Sequence, residues 1–460
     1  MGRWLAAAAA ALALVTTTGA AAQTAEDVHA AERARFGFGE LRRGADGDAS
    51  SPNAANTDEA KAGNVALPPL FASSSQPAPE QWAARRVELA RLVEDNWVGR
   101  IPEVVGQFRV LWSKAPATAR RGAVAEQWIG QVVTPDGRMG PSIDAIVTFP
   151  ANAEGAPALI DYTYVWPGGR TPDFGGPRPP DAVQMALDHG FAHVAYRPQM
   201  LQADTAAQMS QGVIGLARWP REQHDWGALR AWAWGASQLR EELARDPRIN
   251  GERISLQGHS RFGKGVLVAA AFDHAFADAN VSSSGAGGAK LMRRDFGERW
   301  ENMAGSGAFH WFTPNIMAYA RGDRTTANLP IDAHTLIALR APRPLFVTSG
   351  VSEKGDSWVD PTGMWMAVRT AQPAWALFGS AVPNDPTMPE PGTDYDTRYK
   401  LGWFQHTEGH VPWPGYAAFY EHEARFAGPS TSMLPYKDPV KRHRKRRAMA
   451  VWLERFTGRL

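Results

Sequence analysis

Ile254-Ser255-Leu256-Gln257-Gly258-His259-Ser260-Arg261-Phe262-Gly263-Lys264-Gly265 is the stretch that decides the fold. A short apolar run ends in Gly, then a Ser, then a small and helix-friendly segment from Val266 to Phe272. This is the order of a nucleophile elbow: strand, sharp turn, helix, with the Ser at the apex. Such a turn strains the backbone of its Ser, so the neighbours must be small. The hydroxyl is pushed out of the sheet. The next N–H lies at a helix N-terminus, where an oxyanion can bind. The usual pattern is G-x-S-x-G. Here the second Gly comes one residue late, at Gly263, and Phe262 takes its place. A plain Ser-Gly turn also explains this spacing, so the surroundings must decide.

Acyl transfer by a Ser needs a base, and the base needs an acid to orient it. In an α/β hydrolase the chain order is Ser, then Asp or Glu, then His. Arg343 to Ser349 reads as a buried strand, and Glu353, Asp356 and Asp360 follow it. Acids just past a strand's C-terminal end are where open α/β sheets keep their sites. Further on, Gln405-His406-Thr407-Glu408-Gly409-His410-Val411-Pro412 is a loop with a His next to Gly. The expected fold is therefore α/β: a three-layer α/β/α sandwich of the α/β-hydrolase type, with inserted loops around the site.

Gly258-His259-Ser260-Arg261-Phe262-Gly263-Lys264 also resembles the G-[CH]-S-R-x-G-K signature of the glucuronoyl esterases, carbohydrate esterase family 15. The late Gly is part of that signature. Asn96 to Pro102 (NWVGRIP) is similar to an early block of the family, with Trp97 and Val98 varied. Asp225 to Gly235 is similar to its helix before the elbow strand. Ser284 to Ala289, Phe296-Gly297-Glu298, His310-Trp311-Phe312 and the run Asp356, Trp358, Asp360, Pro361 follow in family order. The resemblance covers residues 80 to 430. His259 in place of Cys makes it closer to the bacterial members.

The resemblance implies residue roles. Ser260 is the expected nucleophile and His410 the expected base, with His406 as its rival. A hydroxyl attacks poorly unless a base takes its proton. Family members place the acid in one of two positions. The first, before the Ser-Gly of the Gly-rich loop, is Ser283 here, and a Ser cannot stabilise an imidazolium as a carboxylate does. The second is Asp356, which is expected to carry the role alone, with Glu353 as runner-up and Asp360 structural. The Arg261 N–H and guanidinium are expected at the oxyanion, where a fixed cation acts on charge that appears only in the transition state. Lys264 and Glu298 match positions that hold sugar hydroxyls, which suits charge-assisted hydrogen bonds. Trp358 matches an aromatic lining that pocket, and Trp311 is a further candidate. The implied substrate is a glucuronoxylan or lignin–carbohydrate ester, cleaved at (4-O-methyl-)glucuronic acid. No metal and no cofactor is expected. The alternatives are a general carboxylesterase and a binding relative weakened in catalysis.

Composition bounds the rest. Residues 1–22 have a basic start at Arg3, an apolar run from Trp4 to Val15 and an Ala-rich end. That is a secretory signal peptide, too short in its apolar run for a membrane span. Export to periplasm or medium is expected, as a monomer without stable membrane insertion. A net charge of +2 argues against nucleic acid. There is no Cys, so no disulfide or thiolate site can form. The 18 Trp hint at sugar stacking, although many must be core. Residues 23–77 are rich in Ala, Asp, Ser, Asn and Pro, and read as poorly ordered or as an arm on the surface. Residues 78–460 read as one catalytic domain.

Local patterns predict helices over Gln81 to Asn96, over Trp226 to Arg245 with Asp225 as N-cap, over Leu329 to Leu339 and over Thr362 to Thr370. They predict a hairpin of Glu126 to Pro135 and Ser142 to Pro150 about Asp136-Gly137, and strands at Ala158 to Val165, Phe191 to Tyr196 and Ala279 to Ser283. The Trp166-Pro167-Gly168-Gly169 loop is placed for a second oxyanion donor. The basic run Lys441 to Arg447 reads as a solvated helix face.

Overall fold

Leu345-Phe346-Val347-Thr348-Ser349 is buried at every position, as a strand covered on both faces must be. It lies within a nine-stranded sheet. In this computed structural model the described residues are 23–63, 65–72, 78–118, 123–164, 180–393 and 398–427. The expected leader at 1–22, the glycines at 168–169 and the basic run at 441–447 lie outside them.

Three strands open the sheet in antiparallel pairing: β1 (Arg109–Ala117), β2 (Val124–Val133) and β3 (Met139–Phe149). Next come β4 (Ala156–Tyr162), β5 (Ala192–Tyr196), β6 (Ile249–His259), β7 (Ala279–Ser282), β8 (Leu345–Ser349) and β9 (Leu401–Gln405). The spatial order is β1-β2-β3-β5-β4-β6-β7-β8-β9, and every pair from β5 onward is parallel. Strands β6 to β9 therefore end side by side, so the loops leaving them converge. This is the expected α/β-hydrolase architecture.

The hairpin forms where it was expected, with Gly137 N–H donating to Thr134 O at 3.0 Å. The strand β1 was not foreseen. Its residues are mostly exposed at the sheet edge, so no apolar alternation marks it. The helix after β5 runs Ala228–Leu243, and its N-cap is Gly227, without a side-chain bond. The expected cap, Asp225, instead accepts from the Glu222 N–H at 2.8 Å. The helix expected over Leu329 to Leu339 is shorter, Ala333–Ala338, because Asp332 caps it late. At least eight of the tryptophans are fully buried, including Trp97, Trp128, Trp232 and Trp300. The Trp content thus builds core far more than it builds sugar platforms.

Of the two expectations for residues 23–77, poor order or an arm on the surface, the described part follows the second. Ala25–Phe36 is a helix closed by a Thr24–Asp27 capping box and a left-handed Gly37. It carries almost no amphipathic signal because only Val28 and Glu32 are buried. What anchors it is electrostatic. Glu32 makes a two-pronged pair with Arg221 at 2.9 and 2.7 Å, and Arg221 also donates to Phe312 O at 2.7 Å. The chain then runs beside residues 294–302. Gly297 N–H donates to Asn56 O at 2.8 Å, and Asn302 pairs with the backbone of Ala45.

Breaking such a pair leaves a buried charge uncompensated, which costs about 3–5 kcal/mol. Glu32→Ala is therefore expected to lower unfolding free energy by about that much in urea titration, with the midpoint moving and the sheet retained. An unchanged midpoint would show that the arm is not anchored here.

Candidate active site

Ser260 sits between β6 and the helix Arg261–Phe272 with φ 58° and ψ −129°. This strained conformation is the one the elbow demands. Two glycines make it feasible. A Cβ at Gly258 would lie 2.6 Å from Phe262 O, and one at Gly263 would lie 2.7 Å from Ser282 O. The second contact explains the late Gly. The helix packs on β7 through residue 263, not 262. Phe262 is free to be large, is fully buried and stacks on Tyr164 at 4.2 Å.

The next strand ends deliver the partners. Asp356, in the loop after β8, is fully buried. Its Oδ1 accepts from His410 Nδ1 at 2.6 Å, and a carboxylate can only accept, so this nitrogen carries the proton. Its Oδ2 accepts from the Gly350 N–H at 2.6 Å and from Ser283 Oγ at 2.8 Å. Burial alone pushes this carboxyl up. The His410, Ser283 and Gly350 donors outweigh it and hold the group below its ordinary value. The His410 ring lies 4.4 Å from that of His259, the residue before Ser260. Burial, then the neighbouring His410, drive His259 far below the usual imidazole value, so it packs there neutral. His410 itself is 39% exposed at its side chain.

The other candidates sort clearly. His406 is buried, donates its backbone N–H to Ser349 O at 2.9 Å and accepts from the Glu408 N–H at its Nδ1. It braces the loop. Glu353 is exposed. Asp360 is fully buried, caps the helix Pro361–Ala371 and pairs with Arg294 at 3.0 Å, which is the structural part expected of it. Ser283, the position without a carboxylate, turns its hydroxyl onto Asp356.

A second cluster lies one helical turn past the elbow. Lys264 is buried and donates to Ser284 O at 2.7 Å and to Glu298 Oε2 at 3.3 Å. Glu298 also accepts from the Ala286 N–H at 2.8 Å and donates its backbone N–H to Trp358 O. Lys264 Nζ lies 5.8 Å from the Trp311 ring. The Gly-rich turn after β7 supplies the backbone groups that hold this pair. Burial pulls the Lys264 ammonium down and Glu298 opposes it. Arg261 reaches toward the same cluster, with Cζ 5.4 Å over the Trp311 ring. Its Nε is buried and has no hydrogen-bond partner among the described residues. Sequence reasoning missed Asp204, which binds Arg261 Nη1 at 2.9 Å. It stands in an irregular loop with no motif around it.

Chemically, the arrangement sets a carboxylate-oriented imidazole against His259, beside the Ser260 elbow, with a cation and a buried cation–carboxylate pair on the helix that follows. Residues 133–379, more than half of the chain, match the family described as glucuronyl esterase, fungi. The chain belongs to that family. A glucuronoyl esterase of carbohydrate esterase family 15 from Teredinibacter turnerae superposes with a TM-score of 0.79 at 37% identity, covering 87% of this chain and 99% of the other. A promiscuous esterase of the same family from a marine bacterial metagenome gives 0.69 at 25% identity, covering 81% and 100%. The 4-O-methyl-glucuronoyl methylesterase of Hypocrea jecorina is 26% identical over 67% of this chain and 61% of its own length. Carbohydrate esterase MZ0003, of an unknown prokaryotic organism, is 35% identical over 44% of this chain and 45% of its own. The chain thus spans about half to three fifths of these two curated relatives.

If Asp356 orients His410, Asp356→Asn should lower kcat on an ester substrate by about 10⁴ with the fold intact. Ser283→Ala removes one of three donors to the same carboxylate, and should cost about tenfold, the worth of one hydrogen bond to a charged group. Equal losses in the two variants, or none in either, would contradict this geometry.

Proposed function

We propose that this protein hydrolyses the ester between glucuronic or 4-O-methylglucuronic acid of a xylan and a lignin-type alcohol. The observation that carries this reading is the buried Lys264–Glu298 pair, one turn from the elbow Ser and walled by Trp311. An ammonium and a carboxylate side by side match two neighbouring ring hydroxyls of a sugar. An apolar acyl chain would offer no partner to the hydrogen-bonding capacity that the pair has left over, which a sugar hydroxyl does.

Ser260 Oγ attacks the C6 carbonyl and passes its proton to His410 Nε2. The C–O π electrons move onto oxygen. The Arg261 N–H and guanidinium stabilise that oxyanion, a contribution on the order of 10²–10³ in rate per donor. The oxyanion collapses, the alkoxide leaves, and His410 returns the proton to it as an alcohol. Water then attacks the glucuronoyl-Ser260 carbonyl, giving its proton to His410. Collapse frees the uronic acid, and the proton returns to Ser260. Throughout, Asp356 keeps the imidazole in one tautomer and offsets its transient positive charge.

The leader pattern of residues 1–22 supports export to periplasm or medium. No helix among the described residues is long and apolar enough to cross a membrane. We read the working unit as a monomer, since one chain supplies every group the mechanism uses.

Hydrolysis of benzyl glucuronate by the protein, beside Ser260→Ala and with p-nitrophenyl acetate for comparison, tests the reading. The expected result is Ser260-dependent cleavage of the glucuronate ester well above the acetate. Acetate cleavage alone would favour a general carboxylesterase, and no cleavage of either would favour a binding role. Glu298→Gln offers a second check. Removing the opposing carboxylate leaves burial to depress Lys264 further, so the ammonium is lost at a lower pH. The KM for benzyl glucuronate should therefore start to rise at a lower pH than in the unaltered protein. Coincident KM–pH profiles would remove Lys264 from sugar binding.

A further inference from the structure

Asp204 lies in the loop after the short helix Pro198–Leu201 and is only 7% exposed at its side chain. Three donors from two other segments converge on it. Arg261 Nη1 reaches Oδ2 at 2.9 Å. Trp311 Nε1 and His310 Nε2 reach Oδ1 at 2.5 and 3.2 Å. An exposed Arg–Asp pair does little, but a buried carboxylate with three fixed donors has one geometry. His310 and Trp311 are themselves buried, so the carboxylate is held by the core before Arg261 arrives.

Arg261 needs such a holder. Its side chain is 43% exposed and has many rotamers, most of them pointing to water. Yet oxyanion stabilisation depends on a donor fixed before the charge appears. In the structure the guanidinium is fastened at Nη1 and laid over the Trp311 ring, and Nε–H is left buried and unsatisfied among the described residues. Asp204, Tyr164 and Glu298 favour the charged guanidinium, Tyr164 also hydrogen-bonds with it, and His310 and Lys264 act on it as well.

We propose that Asp204 is a positioning residue for the reaction. By clamping Arg261 Nη1 against the Trp311–His310 shelf, it leaves the Nε–H edge of the guanidinium presented at the Ser260 elbow. The inference rests on the reading of Arg261 as an oxyanion donor. It also resolves a conflict of sign. A carboxylate beside an oxyanion-binding cation weakens that cation's field. Here the negative charge is shared among three donors and lies on the far edge of the guanidinium from Nε, so fixation outweighs attenuation.

The test is a double-mutant cycle of Asp204→Asn and Arg261→Ala. It is read as kcat and KM on whichever ester the unaltered protein cleaves, so a failure of the glucuronate reading leaves the cycle intact. Asp204→Asn is expected to lower kcat by about 10–100-fold, the usual effect of a supporting partner, with KM changed little. In the Arg261→Ala background it should cost nothing further. The same loss in both backgrounds would overturn the proposal, since Asp204 would then act through the fold and not through Arg261. So would an unchanged or raised kcat in Asp204→Asn, which would mean that attenuation wins. Should the Asn variant fail to fold, Asp204→Glu keeps the charge and shifts the clamp by one methylene. A kcat loss confined to the Arg261 background supports the proposal, and full activity overturns it.

Discussion

Asp356 is a carboxylate with no exposed surface, and the site is arranged around keeping it charged. Taking such a group out of water costs several kcal/mol unless donors replace the water. Three donors do so: His410 from the loop after β9, Ser283 from the end of β7, and Gly350 from the end of β8. Each comes from a different strand end. The carboxylate is satisfied only when three neighbouring strands are in register, so folding and the assembly of the site are one event. Because the same carboxylate accepts from His410 Nδ1, an error in register would release that imidazole together with the carboxylate.

The parallel sheet makes this possible and also strains it. Ser260 at the end of β6 has φ 58°, and Ser283 at the end of β7 has φ 40°. Non-glycine residues in such regions cost on the order of 1–3 kcal/mol each. Each is held by the next strand. Ser260 N–H donates to Ser282 O at 2.9 Å, and Ser283 N–H donates to Thr348 O at 2.8 Å. These bonds extend the ladder one residue past each strand's end and turn the side chains toward the pocket. The strain is thus distributed across the sheet that the elbow stands on.

Much of this was legible because the elements carrying chemistry also carry local signals. The elbow needs glycines at fixed offsets, and 258 and 263 are glycines. The strands β6 and β8 are apolar runs, and His410 follows a Gly in a polar loop. Asp356 could be told from Glu353 only as an expectation, and burial now separates them. What stayed hidden depends on contacts between distant segments. The helix Ala25–Phe36 is held largely by polar contacts to distant segments, among them Glu32–Arg221, Arg35–Glu222 and His29 to Ala304 O, which leave no periodic trace. Ser283 seemed a deletion of function, because a hydroxyl cannot replace a carboxylate. In the structure it supports the carboxylate that remains. Asp204 has no motif at all, and only the fold brings it to Arg261.

The Lys264–Glu298 cluster shows the same dependence on remote chain. Glu298 is set by the Ala286 N–H and by the course of residues 294–302, and that course is fastened to the N-terminal arm. Asp295 and Gly297 donate to Ala62 O and Asn56 O, and Arg294 pairs with Glu59. A Cβ at Gly47 would come within 3.8 Å of the Trp358 ring. The arm is therefore the outer support of the segment that carries Glu298, and it approaches the Trp358 ring. Lys264, by contrast, is fixed by the elbow helix itself. The pair that would recognise the sugar thus has one member on the catalytic helix and one on a segment braced by the arm. Their 3.3 Å separation holds only while both supports are in place. A charge pair without water tolerates little displacement. The buried Glu32–Arg221 pair, far from the chemistry, therefore belongs to the same chain of constraints as the carboxylate that orients His410.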